Sequence, residues 1–217
     1  MNFKDLKSRY EKLQTAAVGD VLDGMGFRDQ NLPWDLQALS TGMRLFGKAF
    51  TITGRASGSK SDNDMPVRVK MLSELTSGTI AVMSTDNFRN CAHWGEIMSF
   101  AARNNGCVGA VIDGGVRDAR AIMDAKFPVF CRFRHPGEST GRWNVSNWQT
   151  PIKIENVEIN PDDYIFGDED GVIVIPSALV MEALIGTEEI AEREAGMREA
   201  LFEGGAIEEV FKRFGHF

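Results

Sequence analysis

The sequence is poor in cysteine. Its 217 residues include three, Cys91, Cys107 and Cys131, which are widely spaced and odd in number. The sequence contains no CxxC pair and no cysteine–histidine spacing typical of a metal site. It therefore indicates neither a disulfide framework nor a zinc site. Cys107 and Cys131 lie in apolar, strand-like surroundings, and we interpret them as buried free thiols.

Long apolar runs and basic clusters are also missing. No apolar stretch approaches the roughly 18 residues of a membrane span, and residues 1–20 are charged, unlike a signal peptide. We therefore expect a cytoplasmic protein without a membrane partner. The formal net charge is −7, and lysine and arginine are scattered as singles and pairs. This balance argues against nucleic acid as a partner, because phosphate binding needs concentrated positive charge.

The patterns that are present predict an α/β fold. Hydrophobic residues make up 43% of the chain and charged residues 25%, as in ordinary globular proteins. The buried strands "TIAVMSTD", "CVGAVID" and "FPVFCRF" alternate with the helical segments "WGEIMSFAARNNG" and "DARAIMDAK", which predicts central parallel βαβ units. Turn signals in residues 151–176 predict β-hairpins. No strand is predicted in the polar stretch 134–150.

Both ends of the chain are predicted to be helical. Residues 3–25 have helical spacing with a break near Ala16 to Gly19, and a long amphipathic helix runs from about Ser177 to Glu203. We expect one domain over residues 1–217, with residues 177–217 as a C-terminal helical extension. The tail repeats phenylalanine every third residue, and an apolar stripe of this kind favours contact with a neighbouring subunit. The three residues are Phe211, Phe214 and Phe217.

Two loops at the carboxyl ends of buried strands are candidates for chemistry, because ligands of α/β proteins bind at such ends. In the first, Gly95 begins a helix whose free backbone N–H groups and dipole suit a carboxylate. Alternatively, Gly95 forms only a tight turn and Glu96 complements the helix dipole.

The second loop, "DGGVRD", follows an apolar run that stops at Asp113. Gly114 and Gly115 would allow positive φ and the close approach of a ligand. Arg117 offers a planar fork of donors for a carboxylate or an enolate oxygen, and Asp118 has the hard oxygen ligands that a divalent cation prefers. Alternatively, Asp118 caps the next helix, and Arg117 is a surface residue paired with Asp113 or Asp118.

Acidic residues of the C-terminal helix are most simply a solvated face. Glu192 or Glu194 would alternatively reach the site of a neighbouring subunit. The three histidines, His93, His135 and His216, have no helical metal-ligand spacing.

Three ordered motifs carry a family resemblance. "VGDVLDGMG", "AHWGEIMSFAARNNGCVGAVIDGGVRDARAI" and "INPDDYIFGDEDGVIVIP" together resemble the family that joins regulator of ribonuclease activity A to the 4-hydroxy-4-methyl-2-oxoglutarate aldolases. The resemblance covers most of residues 16–217. It implies a β/β/α swivelling-domain fold that assembles into homotrimers, often paired into hexamers. Asp162 stands where the family motif has glycine.

The resemblance also implies an activity. It points to a class II aldolase and decarboxylase that uses Mg²⁺ or Mn²⁺, cleaves a small 4-hydroxy-2-keto acid to pyruvate and also decarboxylates oxaloacetate. Arg117 would bind the keto or enolate oxygen, and Asp118 would be the metal ligand. The substrate carboxylate would be held by the helix start, Gly95, Glu96, Ile97 and Met98. The alternative is a non-catalytic regulator that binds a protein partner such as a ribonuclease.

Overall fold

The structure, a computed structural model, describes residues 2–59 and 64–215. The helices are α1 Phe3–Tyr10, α2 Thr15–Gly24, α3 Met65–Ser73, α4 Glu96–Asn104, α5 Ala119–Asp124, α6 Val180–Phe202 and α7 Ile207–Phe214, with a 3₁₀ turn at Ser177–Leu179. The strands are β1 Gln37–Ala38, β2 Leu45–Ala56, β3 Thr79–Ser84, β4 Ala92–Trp94, β5 Gly109–Val116, β6 Val129–Arg134, β7 Trp143–Trp148, β8 Ile152–Ile154, β9 Val157–Ile159, β10 Tyr164–Asp168 and β11 Gly171–Ile175.

One mixed sheet forms the centre of the described chain, and its main path runs β1-β6-β5-β3-β2-β10-β11. Strands β2, β3, β5 and β6 are parallel neighbours, so the predicted βαβ units are confirmed. Hydrogen bonds from Leu32 N to Val172 O and from Val174 N to Gln30 O, both 2.9 Å, tie the segment before β1 to β11. The sheet is therefore nearly closed.

Both faces of the parallel strands are buried. On one face, Val82 and Val111 pack in a core that includes the small β8–β9 hairpin. On the other, Met83 and Ile112 pack with Met71 of α3. Continuous apolar runs such as "TIAVMS" are typical of strands in this position.

The predicted break in the N-terminal helix lies in the wrong place. Helix α1 ends at Tyr10 and α2 begins at Thr15, ahead of the predicted break near Ala16 to Gly19. A buried carboxylate sets this boundary: Thr15 N and Oγ1 donate to the Oδ2 and Oδ1 atoms of Asp168 at 2.9 and 2.6 Å. An acceptor from distant β10 therefore satisfies the first turn of α2.

The polar stretch 134–150 contains a strand that the sequence analysis missed. Strand β7 pairs antiparallel with β2. Trp143 and Val145 are buried, whereas Asn144 and Ser146 are less so. This alternation of buried and exposed positions is typical of a strand with one face on a core.

The C-terminal residues are helical, as predicted. Helix α6 packs on α2, and α7 folds back on α6, where the Phe214 ring lies against Gly196. Phe211 is half exposed, and Phe217 lies outside the described residues. Within residues 2–59 and 64–215, no helix combines the length and apolar character needed to cross a membrane.

Candidate functional site

Helix α4 begins beside the end of β5. Strand β4 pairs in parallel with β5 through Ala92↔Gly115 and Trp94↔Val116, and α4 follows β4 directly. Ser99 fixes this start, because its hydroxyl accepts from Trp94 Nε1 at 2.8 Å and donates to Gly95 O at 3.0 Å.

The backbone at the start of α4 has free donors. Gly95 is the N-cap residue, and the N–H groups of Ile97 and Met98 donate to no acceptor among the described residues. Free donors and the positive end of the helix dipole suit an anion. These are the donors on which the anion-site interpretation of this loop depends, and that interpretation stays a prediction.

The two glycines of "DGGVRD" act differently from the prediction. Strand β5 continues through both to Val116, and neither has a positive φ. A Cβ on Gly114 would lie 2.6 Å from His93 Nδ1, and one on Gly115 would lie 2.6 Å from Cys91 O. The glycines therefore admit β4 and its side chains rather than a ligand.

Arg117 and Asp118 form an ion pair at the surface of the site. Arg117 Nε lies 3.4 Å from Asp118 Oδ2, and the side chains are 42% and 41% exposed. Of the two acids proposed for Arg117, Asp118 is thus its partner, whereas Asp113 pairs with Arg132.

Asp118 occupies the N-cap position of α5 without capping it. Its backbone is left-handed, with φ 58° and ψ 33°, and its side chain makes no capping hydrogen bond to the described residues of that helix. Instead, Asp118 Oδ2 accepts from Glu96 N at 3.4 Å. A Cβ on Gly95 would lie 2.9 Å from the same oxygen. Glycine is therefore needed there for close packing of the two loops.

All six residues proposed from the sequence line one cavity of about 600 Å³. The six are Gly95, Glu96, Ile97, Met98, Arg117 and Asp118. Helix α3 supplies part of the remaining wall. Neither Glu192 nor Glu194 belongs to the described lining of this cavity; Glu194 pairs with Arg198 at 3.2 Å.

His93 and Arg68 are among the lining residues that sequence reasoning missed. Burial lowers the pKa of His93 to about 4, and the positive charge of the nearby Arg68 guanidinium is the second cause. The ring is therefore neutral near pH 7. Its Nδ1 accepts from Gly115 N at 3.2 Å. Arg68 is buried and pairs with Asp64, with 2.7 Å between Nε and Oδ2. The i,i+4 spacing of Asp64 and Arg68 was a usable signal for this pair, since residues four apart in a helix are neighbours.

The donor set at the site limits which metal it suits. Across residues 2–59 and 64–215, no group of three or more histidine, cysteine, aspartate or glutamate side chains is placed to hold a metal ion. Zinc sites need three or four such ligands. Mg²⁺ is commonly held by one or two carboxylates and keeps several waters, so the half-exposed Asp118 carboxylate fits a hard divalent cation.

Comparison with known proteins gives the family. Residues 15–174 match the RraA-like family, described as Aldolase/RraA, and the chain belongs to this family. DlpA of Legionella pneumophila is 29% identical over 195 residues, which are 90% of this chain but 31% of DlpA; the chain therefore spans less than a third of that relative. A protein of Halalkalibacterium halodurans named "Putative 4-hydroxy-4-methyl-2-oxoglutarate aldolase" is 31% identical over 172 residues, 79% of this chain and 77% of that protein.

Solved structures share the fold. A structure described as one of novel cellulases from microbes of the gut ecosystem has a TM-score of 0.86 at 36% identity, covering 90% of this chain and 88% of that chain. RraAS2 of Streptomyces coelicolor, described as an unusual member of the RNase ES inhibitor RraA family, has a TM-score of 0.79 at 20% identity, covering 89% of this chain and 96% of that one. The second likeness shows the fold alone, and it confirms the predicted fold class.

Proposed function

We propose that the chain is a divalent-metal-dependent aldolase that cleaves a small 4-hydroxy-2-keto acid to pyruvate. One observation carries the proposal: the free N–H groups of α4, the Arg117 fork and the Asp118 carboxylate line the same cavity. Relatives about 30% identical to the chain carry aldolase names, which supports a carbon–carbon lyase.

The helix start binds the substrate. The N–H groups of Ile97 and Met98 receive the C1 carboxylate, and the helix dipole favours its charge. Arg117 donates hydrogen bonds to the keto oxygen at C2. Both contacts hold the C3–C4 bond in one orientation in the cavity.

The reaction breaks the C3–C4 bond. The C4 hydroxyl loses its proton to water and becomes the carbonyl of the released aldehyde or ketone, and the electron pair of the broken bond remains on the three-carbon fragment as pyruvate enolate. Arg117 stabilises the negative oxygen of this enolate more strongly than the neutral keto oxygen, which lowers the barrier. Protonation at C3 completes pyruvate. Loss of CO₂ from oxaloacetate leaves the same enolate, and we expect that activity too.

Asp118 would hold Mg²⁺ or Mn²⁺. When bound, the cation would supply positive charge near the substrate oxygens. Asp118 is also positioned by the chain itself, through Glu96 N and Arg117 Nε, so its carboxylate is oriented without other protein ligands.

Assembly with further copies of the chain, as a trimer or hexamer, is part of the proposal. Apolar side chains are exposed at the end of α6 and on α7, and a second copy would cover them. They are Phe202, Ile207 and Phe211. Light scattering of the purified protein tests this.

The test of the activity is pyruvate release from oxaloacetate and from 4-hydroxy-2-keto acids, with Mg²⁺ or Mn²⁺ and then with excess EDTA. Asp118→Asn is expected to abolish EDTA-sensitive turnover, and Arg117→Lys to lower kcat about 100-fold or more because an ammonium lacks the planar fork. The control is Asp124→Asn at the other end of α5. It removes an exposed acid paired with Arg120 and should retain wild-type turnover.

Two results contradict the proposal. Full activity in Asp118→Asn would show that the reaction does not need the Asp118 carboxylate. No pyruvate from any substrate with either metal would favour the regulator alternative, and ribonuclease binding would then be measured.

A further inference from the structure

Part of the cavity wall is apolar, and most of it comes from a helix outside the two loops. Helix α3 contributes Met65, Val69 and Leu72, which share one helix face through their i, i+4 and i+7 spacing. Helix α4 adds Ile97 and Ala101 from successive turns. Met65, Val69 and Ile97 are 52%, 59% and 76% exposed, so a ligand can reach them. We call these five residues the apolar wall.

The cations of the cavity are already engaged. Among the described lining residues they are Arg68 and Arg117. Arg68 is buried against Asp64 at 2.7 Å and donates to Trp143 O at 3.0 Å and His93 O at 3.4 Å. Arg117 pairs with Asp118 and, in the proposed function, also binds the keto oxygen. Neither is free to receive another anion.

Among the residues that the structure describes around the cavity, acidic groups outnumber the cations. Glu96, Asp118 and Glu138 all line the cavity. A substrate with one carboxylate can place it on the N–H groups of α4. A second carboxylate, on C4, would lie beside the apolar side chains of α3, where no cation of the described lining is left to pair with it. An unpaired anion in such surroundings is unfavourable.

We propose, on the basis of the proposed function, that the preferred substrate carries an apolar substituent on C4. The substrate class is then a 4-hydroxy-2-keto acid with one carboxylate. Cleavage of its C3–C4 bond yields pyruvate and an uncharged aldehyde or ketone, with the C4 hydroxyl proton lost and one proton gained at C3. The apolar wall binds the substituent, and dicarboxylates such as 4-hydroxy-4-methyl-2-oxoglutarate and oxaloacetate are weaker substrates.

The experiment compares two substrates whose C4 substituents have similar size and shape. One is 4-hydroxy-5-methyl-2-oxohexanoate, which carries isopropyl, and the other is 4-hydroxy-2-oxoglutarate, which carries carboxylate. Both release pyruvate, so one coupled assay with Mg²⁺ or Mn²⁺ measures both. We expect kcat/KM to be at least about tenfold higher for the isopropyl compound.

A charge placed in the wall should reverse this preference. Val69→Lys adds a cation beside the C4 substituent, and we expect the ratio of the two kcat/KM values to move at least about tenfold toward the dicarboxylate. Val67→Lys is the matched control: it lies on the same helix but lines a separate cavity with Arg55 and Asn144. Its ratio should equal that of the wild type.

The outcomes separate the two proposals. Equal or faster cleavage of the dicarboxylate by the wild type would overturn this inference and leave the aldolase function standing. An unchanged ratio in Val69→Lys would likewise overturn the assignment of the apolar wall. No pyruvate from either compound would overturn the proposed function, and this inference with it.

Discussion

The neutral, buried imidazole of His93 should make the stability of the protein depend on pH. Its folded pKa is about 4, against an ordinary value of 6.5, because burial and then Arg68 disfavour the charged ring. Between these values the unfolded chain binds more protons than the folded chain, so stability is lost as the pH falls below about 6.5. Linkage with these two pKa values gives a loss of about 2 kcal/mol between about pH 7.5 and pH 5.

The assay is urea unfolding at both pH values, for the wild type and for His93→Asn. Asparagine Oδ1 can replace Nδ1 as the acceptor for the Gly115 N–H, but it does not titrate in this range. The variant should be less stable overall, since a smaller side chain leaves space against Trp143, whose ring centroid lies 4.9 Å from that of His93. Its loss between the two pH values should be smaller than the wild-type loss by about 2 kcal/mol.

A control separates titration from general weakening. Ile122→Val removes a methyl group from the core cluster that contains Trp143 and should cost about 0.5–1.5 kcal/mol equally at both pH values. If His93→Asn keeps the full wild-type difference between the two pH values, the imidazole is not the group that titrates, and the reasoning is refuted.

Two further substitutions test the packing around the site. Gly95→Ala would bring a Cβ within 2.9 Å of Asp118 Oδ2 and 3.2 Å of Arg117 Cγ. We expect this substitution to cost about 1–3 kcal/mol of stability and to lower the rate of pyruvate release. Unchanged kinetics would show that the two loops need not touch. Arg68→Met leaves the Asp64 carboxylate buried without its partner and should cost about 3–5 kcal/mol in urea unfolding. Asp64→Asn combined with Arg68→Met should recover part of that loss, and a single variant as stable as the wild type would argue against the ion pair.

The elements that the sequence predicted well are those with strong local patterns. The runs "TIAVMS" and "CVGAVID" are apolar on both faces, which few structures other than buried parallel strands satisfy. Strand β7 was missed because Asn144, Ser146 and Asn147 dilute its alternation. The start of α2 was misplaced because its acceptor, Asp168, lies 153 positions away along the chain and leaves no local trace.

The same distinction applies to the candidate site. Arg117, Asp118 and the helix start at Gly95 were found from motifs in two loops, since each motif is contiguous. The wall from Met65 and Val69 was not found, because only tertiary packing brings α3 beside α4.

Asp113 lies within β5 and Asp118 lies just beyond its end. Their surroundings give the two carboxylates different capacities to bind a cation or a substrate. Asp113 is buried, and its carboxylate is paired with Arg132, whose guanidinium also contacts Asp35 and Glu155. Burial raises the pKa of Asp113, and the hydrogen bond from Arg132 opposes that rise. A carboxylate held by a buried guanidinium has little capacity left for a cation or a substrate. Asp118 lies beyond the strand, where its left-handed backbone ends the extended run and its carboxylate lines the cavity half exposed. In the proposed function, chemistry at this end of the sheet therefore depends on Asp118, while Asp113 and Arg132 hold the strand ends in place.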